Sequence, residues 1–154
     1  MICVLQRVSR ASVRVGERTA GAIDRGLLAL VAVVPEDDDD DVSWLAERLV
    51  NLRIFADPAG RMNLSVRDVG GALLLVSQFT LVADARRGRR PSFSGAASPA
   101  NGKRRFDALV ATLRAGEVPV QTGEFGAAMA VELVNDGPVT LILDSARRRA
   151  GGRT

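Results

Sequence analysis

Residues 72–82 read Ala-Leu-Leu-Leu-Val-Ser-Gln-Phe-Thr-Leu-Val. The first five are apolar without a break, the pattern of a strand buried on both faces. Ser77, Gln78 and Thr80 then interrupt the run before Leu81 resumes it. A buried hydroxyl or amide costs roughly 1–3 kcal/mol unless it is hydrogen-bonded. Three of them at one strand end mean either a satisfied network or a site. Taken alone, such a run is more often hydroxyls bonded to neighbouring backbone.

Outward from that stretch, the chain alternates short strands with two helical segments. Met1 to Ser9 alternates as a strand with Gln6 and Arg7 as polar intrusions. Ser12–Val15 and Thr19–Ile23 flank a Gly16-Glu17 turn and predict a hairpin. Gly26 to Val34 is a second buried strand, stopped by Pro35. The acidic block Glu36–Asp41 precedes Val42, Leu45, Leu49 and Leu52 at helical spacing, so the carboxylates are read as a cap on a helix from about Asp38 to Asn51 rather than as a metal site. Arg53–Phe55 and Met62–Val66 are short strands around an Asp57–Gly60 turn. Asp84 to Ala97 is an Arg-, Gly-, Pro- and Ser-rich loop. Ser98 and Pro99 open a second helix with a stripe of Phe106, Leu109, Val110 and Leu113, ended by Gly116. Pro119–Thr122, Met129–Leu133 and Val139–Leu143 read as strands, the last two joined hairpin-like at Asn135–Pro138. The expected fold is α+β: antiparallel, barrel-like β-sheets with two packed helices, in one domain over 1–144. Residues 145–154 are expected to form a flexible Arg-rich tail.

Composition narrows the chemistry. The 154 residues include one cysteine, one lysine and no histidine. Histidine-dependent triads and most zinc sites are excluded. A single cysteine, Cys3, cannot form an internal disulfide and fits a reducing cytoplasm. No apolar run reaches the ~18 residues of a membrane span, and the N-terminus lacks a signal-peptide pattern. The net charge of +3 comes from the tail, whose four arginines leave residues 1–144 at −1, so nucleic-acid binding needs a local patch. Hydroxyls, carboxylates, backbone donors or groups of the substrate must carry any catalysis.

Several segments together resemble the D-aminoacyl-tRNA deacylase family of bacteria and eukaryotes. They are Gln6-Arg7-Val8, Met62-Asn63-Leu64, Ser77-Gln78-Phe79-Thr80-Leu81, Arg90-Pro91-Ser92-Phe93, Gln121-Thr122-Gly123 with Phe125, and Asn135-Asp136-Gly137-Pro138-Val139-Thr140. The resemblance runs from Met1 to about Asp144, and no function is carried onto the tail. It implies a cytoplasmic homodimer, without cofactor or metal, that hydrolyses the ester between a D-amino acid and the 3′ end of tRNA. Glycine mischarged on alanine tRNA is an implied further substrate. It also implies a cis Gly137-Pro138 peptide that reaches into the partner subunit's site and excludes L side chains, so that L-aminoacyl-tRNA is rejected.

With that resemblance, the N–H groups of Phe79 and Thr80 become candidate oxyanion donors. Thr80 is read as an orienting group, with a water or the tRNA's terminal 2′-hydroxyl attacking; as a nucleophile it has no evident base. Gln78 and Ser77 would hold the strand end and the terminal adenosine. Met129 and Phe125 line the amino-acid pocket or pack in the core, and Arg7 braces the Gly137-Pro138 turn or is an edge-strand arginine. Arg86, Arg87, Arg89 and Arg90, with Lys103, Arg104 and Arg105, are a candidate acceptor-stem surface. Two rivals stand beside the deacylase: a non-catalytic RNA-binding domain, and a threonine-nucleophile hydrolase of small esters.

Overall fold

A computed structural model describes residues 1–86 and 88–150, without the side chains of 149 and 150. Its frame is β1 (Ile2–Val15), a strand long enough to hold two partners end to end along one edge. The first half of β1 pairs with β3 (Gly26–Ala32) and the second half with β2 (Arg18–Ile23), both antiparallel. Beyond β3 the sheet continues through β6 (Ala72–Ser77) to β7 (Val120–Thr122). The other edge of β1 carries β8 (Ala130–Asp144). The sheet curls until β2 meets β7: a Cβ on Gly21 would stand 2.7 Å from the Thr122 carbonyl oxygen. A separate two-stranded sheet, β4 (Phe55–Ala56) with β5 (Met62–Leu64), sits outside the barrel.

The barrel-like α+β expectation holds, but the sheet is mixed rather than antiparallel. β3, β6 and β7 run parallel. Each parallel step passes through a helix: α1 (Asp39–Asn51) lies between β3 and β6, and α2 (Pro99–Arg114) between β6 and β7. A strand can be rejoined in parallel only by such a long crossover. β6 sits at the centre of this arrangement. Leu73 and Leu75 enter the core beneath the helices, while Leu74 and Val76 point into a second cluster with Val8, Val13 and Leu28. Burial on both faces is why its first five residues are apolar.

Both helices begin as their sequences require. Asp38 caps α1 reciprocally with Asp41: the Asp41 amide donates to Asp38 Oδ1 (3.1 Å) and the Asp38 amide to Asp41 Oδ2 (3.0 Å). Ser98 caps α2, with Pro99 in its first turn. Among the described residues no helix is long and apolar enough to cross a membrane.

Three further expectations need correction. The strand of 72–82 stops at Ser77, because Ser77 is the last residue with a partner on β3; the Gln78 amide still donates to the Val31 carbonyl (2.8 Å), and Phe79–Val82 then coil into a 3₁₀ turn. Residues 130–144 form no hairpin. Both halves pair antiparallel with β1, with Asn135 opposite Val8 and Thr140 opposite Gln6. Asp136–Val139 are thus thrown out as a bulge against Arg7 alone, since Pro138 has no N–H to donate to a ladder. Finally, the loose tail does not begin at 145. Ser145–Ala150 form α3, and Ser145 is buried with its hydroxyl against the Met1 ammonium (2.5 Å), which also pairs with Asp37. The end of β8 delivers Ser145 there, beside the first residue of its own partner strand. Residues 151–154 lie outside the described residues.

Candidate active site

Where β6 ends, the chain opens a cavity of about 610 Å³ between the ends of β3 and β6, the start of α2 and the Phe125–Met129 segment. Ser77, Gln78, Phe79, Phe125 and Met129 line it, so five of the residues singled out in the sequence meet around one space. Thr80 stands just behind, its hydroxyl accepting from Gln78 Nε2 at 2.5 Å. The first bond of the 3₁₀ turn runs from the Leu81 amide to the Gln78 carbonyl (3.2 Å). The N–H groups of Phe79 and Thr80 precede that bond and have no acceptor inside the turn. Phe79 lines the cavity and Thr80 is the next residue.

Among the described residues, none of those lining the cavity carries an ionisable side chain. Its polar groups are the hydroxyls of Ser77 and Ser98, the Gln78 amide and the backbone. Such a space can orient a carbonyl and stabilise negative charge on its oxygen with neutral donors. It supplies no general base, and whichever way the Gln78 amide is turned, Thr80 gains none.

Met129 and Phe125 serve both cavity and core. The Met129 sulfur lies over Gly123, where a Cβ would come within 2.6 Å, and it accepts from the Glu124 amide at 3.4 Å. Phe125 packs at 6.2 Å from Phe106 of the helix-side core. The sequence reading missed the other wall. The Ala97 amide bonds the Val33 carbonyl (3.0 Å), folding the loop after the 3₁₀ turn back over the cavity. Phe93, Ala96 and Ala97 line it from that side, and Phe93 meets the 55% exposed Phe79 edge-on at 5.3 Å. Phe93 is the only aromatic residue in an Arg/Gly/Pro/Ser stretch, which was the available signal.

Arg7, Gly137 and Pro138 do not line this cavity. They form a second cluster at the β8 bulge. The Arg7 side chain, 12% exposed, pairs with Asp136 (Nε to Oδ2, 2.8 Å), donates to the Ile54 carbonyl (2.5 Å) and lies 5.9 Å from the Phe55 ring centre. Asn135 Nδ2 donates to the carbonyls of Arg7 (2.9 Å) and Val139 (3.1 Å), closing the bulge across its base. Gly137 and Pro138 are exposed at its tip, joined by a cis peptide. A second hollow of about 600 Å³ between β2, β1 and β8 is lined by none of the residues singled out in the sequence.

The basic residues separate by partner. Arg86 pairs with Asp84 (2.7 Å), Lys103 with Asp107 (2.5 Å), and Arg105 turns back onto Asp39 with little of its side chain exposed. Arg104 donates to the neutral Asn101 side chain (2.8 Å). Arg87 lies outside the described residues.

Comparison with known proteins follows this geometry closely. The model of the D-Tyr-tRNA(Tyr) deacylase family matches residues 4–144. A D-aminoacyl-tRNA deacylase of Chloroflexus aurantiacus is 55% identical over 157 residues, covering 99% of this chain and 98% of its own. Another, of Methylococcus capsulatus, is 57% identical over 143 residues, covering 93% of this chain and 94% of its own. A solved structure described as the c-Myc DNA unwinding element binding protein superposes with a TM-score of 0.88 at 37% identity, covering 94% of this chain and 98% of that one. A probable eukaryotic D-amino acid tRNA deacylase shares the fold, with a TM-score of 0.77 at 17% identity over 92% of this chain and 97% of its own.

Proposed function

This chain belongs to the D-Tyr-tRNA(Tyr) deacylase family, and from that premise we propose how it hydrolyses D-aminoacyl-tRNA and spares the L form. The enzyme is a carboxylic ester hydrolase whose products are free tRNA and a D-amino acid. Glycine mischarged on alanine tRNA is a further substrate, because glycine has no side chain to exclude. The work takes place in the cytoplasm, where aminoacyl-tRNA is made and used.

The observation that carries the mechanism is that, among the described residues, the cavity is lined by no ionisable side chain while the amides of Phe79, which lines it, and of Thr80 after it have no acceptor within the 3₁₀ turn. An aminoacyl ester is already activated, so stabilising its oxyanion is the main help it needs. The N–H groups of Phe79 and Thr80 receive that oxygen, a contribution of about 3–4 kcal/mol for a preorganised donor. The attacking oxygen is a water or the terminal 2′-hydroxyl of the tRNA. Thr80, held by Gln78, orients it; Gln78 and Ser77 hold the terminal adenosine, and Met129 and Phe125 face the amino acid.

Handedness is sorted by a second subunit. The Gly137-Pro138 tip of one protomer enters the partner's cavity, where bare glycine carbonyls accept the substrate ammonium and fill the volume an L side chain requires. A D side chain points away to solvent. Support comes from β8 itself, which among the described residues pairs only with β1 and exposes Leu133, Val134 and Ile142, the last by 66%. Such an edge invites a second chain. Arg7 braces the tip from behind through Asp136.

Paired hydrolysis of D- and L-aminoacyl-tRNA tests this reading. The D ester should be cleaved and the L ester survive, and the protein should sediment as a dimer. Equal cleavage of both forms, or full discrimination by a monomer, overturns the account of handedness.

A further inference from the structure

Resting on the deacylase reading, we infer that Arg89 and Arg90, together with Arg104 on the first turns of α2, form a phosphate-binding rim for the acceptor stem. Charge along the chain is strongly divided. Residues 84–114 hold eight basic residues against two acidic ones, a net of +6, while residues 1–144 as a whole total −1 and the remainder of that span therefore carries −7. The same segment supplies Phe93, Ala97, Ser98 and Gly102 to the cavity wall. The positive charge is thus concentrated in the part of the chain that borders the candidate site.

Local structure holds it there. Asp84 and Ser92 exchange backbone bonds (2.8 and 2.9 Å), and Arg89 and Arg90, which precede Ser92, are exposed. The next residue, Phe93, is fixed against Phe79 at the cavity mouth. On α2, Ser98 and Gly102 line the cavity while Arg104 is exposed, six residues from the cap. Among the described residues Arg89 and Arg90 have no acidic partner, and Arg104 has only an amide, whereas Arg86, Lys103 and Arg105 are neutralised by Asp84, Asp107 and Asp39. Arg114, at the far end of α2, lies about 15 Å along the helix from Arg104. Three full positive charges therefore flank the mouth. An ester at the end of a single strand leads outward into a duplex whose phosphates must pass this rim, and guanidinium groups bind phosphate without reading sequence.

The test compares the native chain with an Arg89→Gln/Arg90→Gln/Arg104→Gln variant on D-tyrosyl-tRNA and on the D-tyrosyl ester of adenosine, which has no phosphate. These side chains are exposed, so the variant should keep its melting temperature. For tRNA, the log–log salt dependence of kcat/KM should flatten by roughly 2–3, at ~0.7–0.9 per phosphate contact. Over about 50–200 mM salt that is roughly a 20–40-fold smaller loss of kcat/KM. Turnover of the adenosine ester should be unchanged, and Arg48→Gln on α1 should alter neither measurement. An unaltered salt slope, or equal losses on both substrates, overturns the rim. If the native chain cleaves neither ester, the deacylase reading fails by itself; the rim is then judged by binding of uncharged tRNA, where the same flattening supports it and parallel slopes overturn it.

Discussion

The cavity edge at 77–80 and the bulge at 135–139 are built in opposite ways. At the cavity edge a strand buried over Leu73–Val76 runs out of partners after Ser77, the Gln78 amide makes the last bond to Val31, and the chain coils into a 3₁₀ turn beside an open cavity. Everything that shapes that space comes from the same chain: β3, α2, Phe93, Phe125 and Met129. At the bulge, a strand pair is forced apart and its base is tied by Asn135 and Arg7, yet the tip does not line the cavity at the end of β6. One region is a finished surface. The other is a well-braced projection, and the proposed selectivity requires two subunits where the proposed oxyanion site requires only one.

Removing a backbone donor separates the regions most sharply. Phe79→Pro deletes an N–H at the first position of the turn, where proline is tolerated. Relative to Phe79→Ala, which keeps the N–H, kcat on D-aminoacyl-tRNA should fall by about 10²–10³ with D/L discrimination unchanged. The converse comes from the bulge. Asn135→Ala leaves the Arg7 and Val139 carbonyls without their side-chain donor. About 1–1.4 kcal/mol of lost anchoring should lower the D/L ratio of kcat/KM by up to about tenfold while D turnover persists. If D turnover collapses instead, the bulge serves the chemistry and not the selection. Thr80→Ala, read on the same substrate, should cost about fivefold, the ~1 kcal/mol of one neutral hydrogen bond; loss of all activity, with an acyl group trapped on Thr80 in the native protein, would make it the nucleophile. The smallest effect concerns Cys3, which pairs with Leu143 on β8 below the bulge and whose thiol is pushed up to about 12 by burial. A raised thiol pKa disfavours the thiolate at every lower pH, so at pH 8 only about one molecule in 10⁴ is ionised. Alkylation should be slow in the native chain, and in Asn135→Ala it should speed up only slightly if the bulge is anchored independently of the β1–β8 ladder.

Much of this was legible in the sequence where one residue's chemistry settles its own surroundings. Asp38 and Ser98 announce helix starts because their side chains can satisfy nearby amides. Five consecutive apolar residues announce a strand covered on both sides. Ser77, Gln78 and Phe79 line one cavity with Phe125 and Met129, and Thr80 is bonded to Gln78 behind them. What escaped was relational. The parallel direction of β3, β6 and β7 depends on where two crossovers return, and apolar runs look alike in either direction. The end of β6 at Ser77 depends on the end of β3. Asn135–Val139 reads as a reversal because Asp-Gly-Pro is a turn sequence, and only pairing of both flanks with β1 makes it a bulge. Of the basic residues, spacing alone did not tell Arg104 from Arg105, whose partners lie on different elements.

The sequence by itself determined that histidine-dependent triads and most zinc sites are excluded, that α1 and α2 start at capped positions and that β6 is central, since composition, caps and burial patterns are properties of short segments. The tertiary structure alone decided which face of each segment meets which other, and so gathered an uncharged cavity from positions 31 to 131 while leaving Gly137 and Pro138 outside it. The physical reason is range: side-chain chemistry and capping act over a few residues, whereas strand partners and cavity walls are chosen by packing among residues far apart in the chain, which no local pattern records.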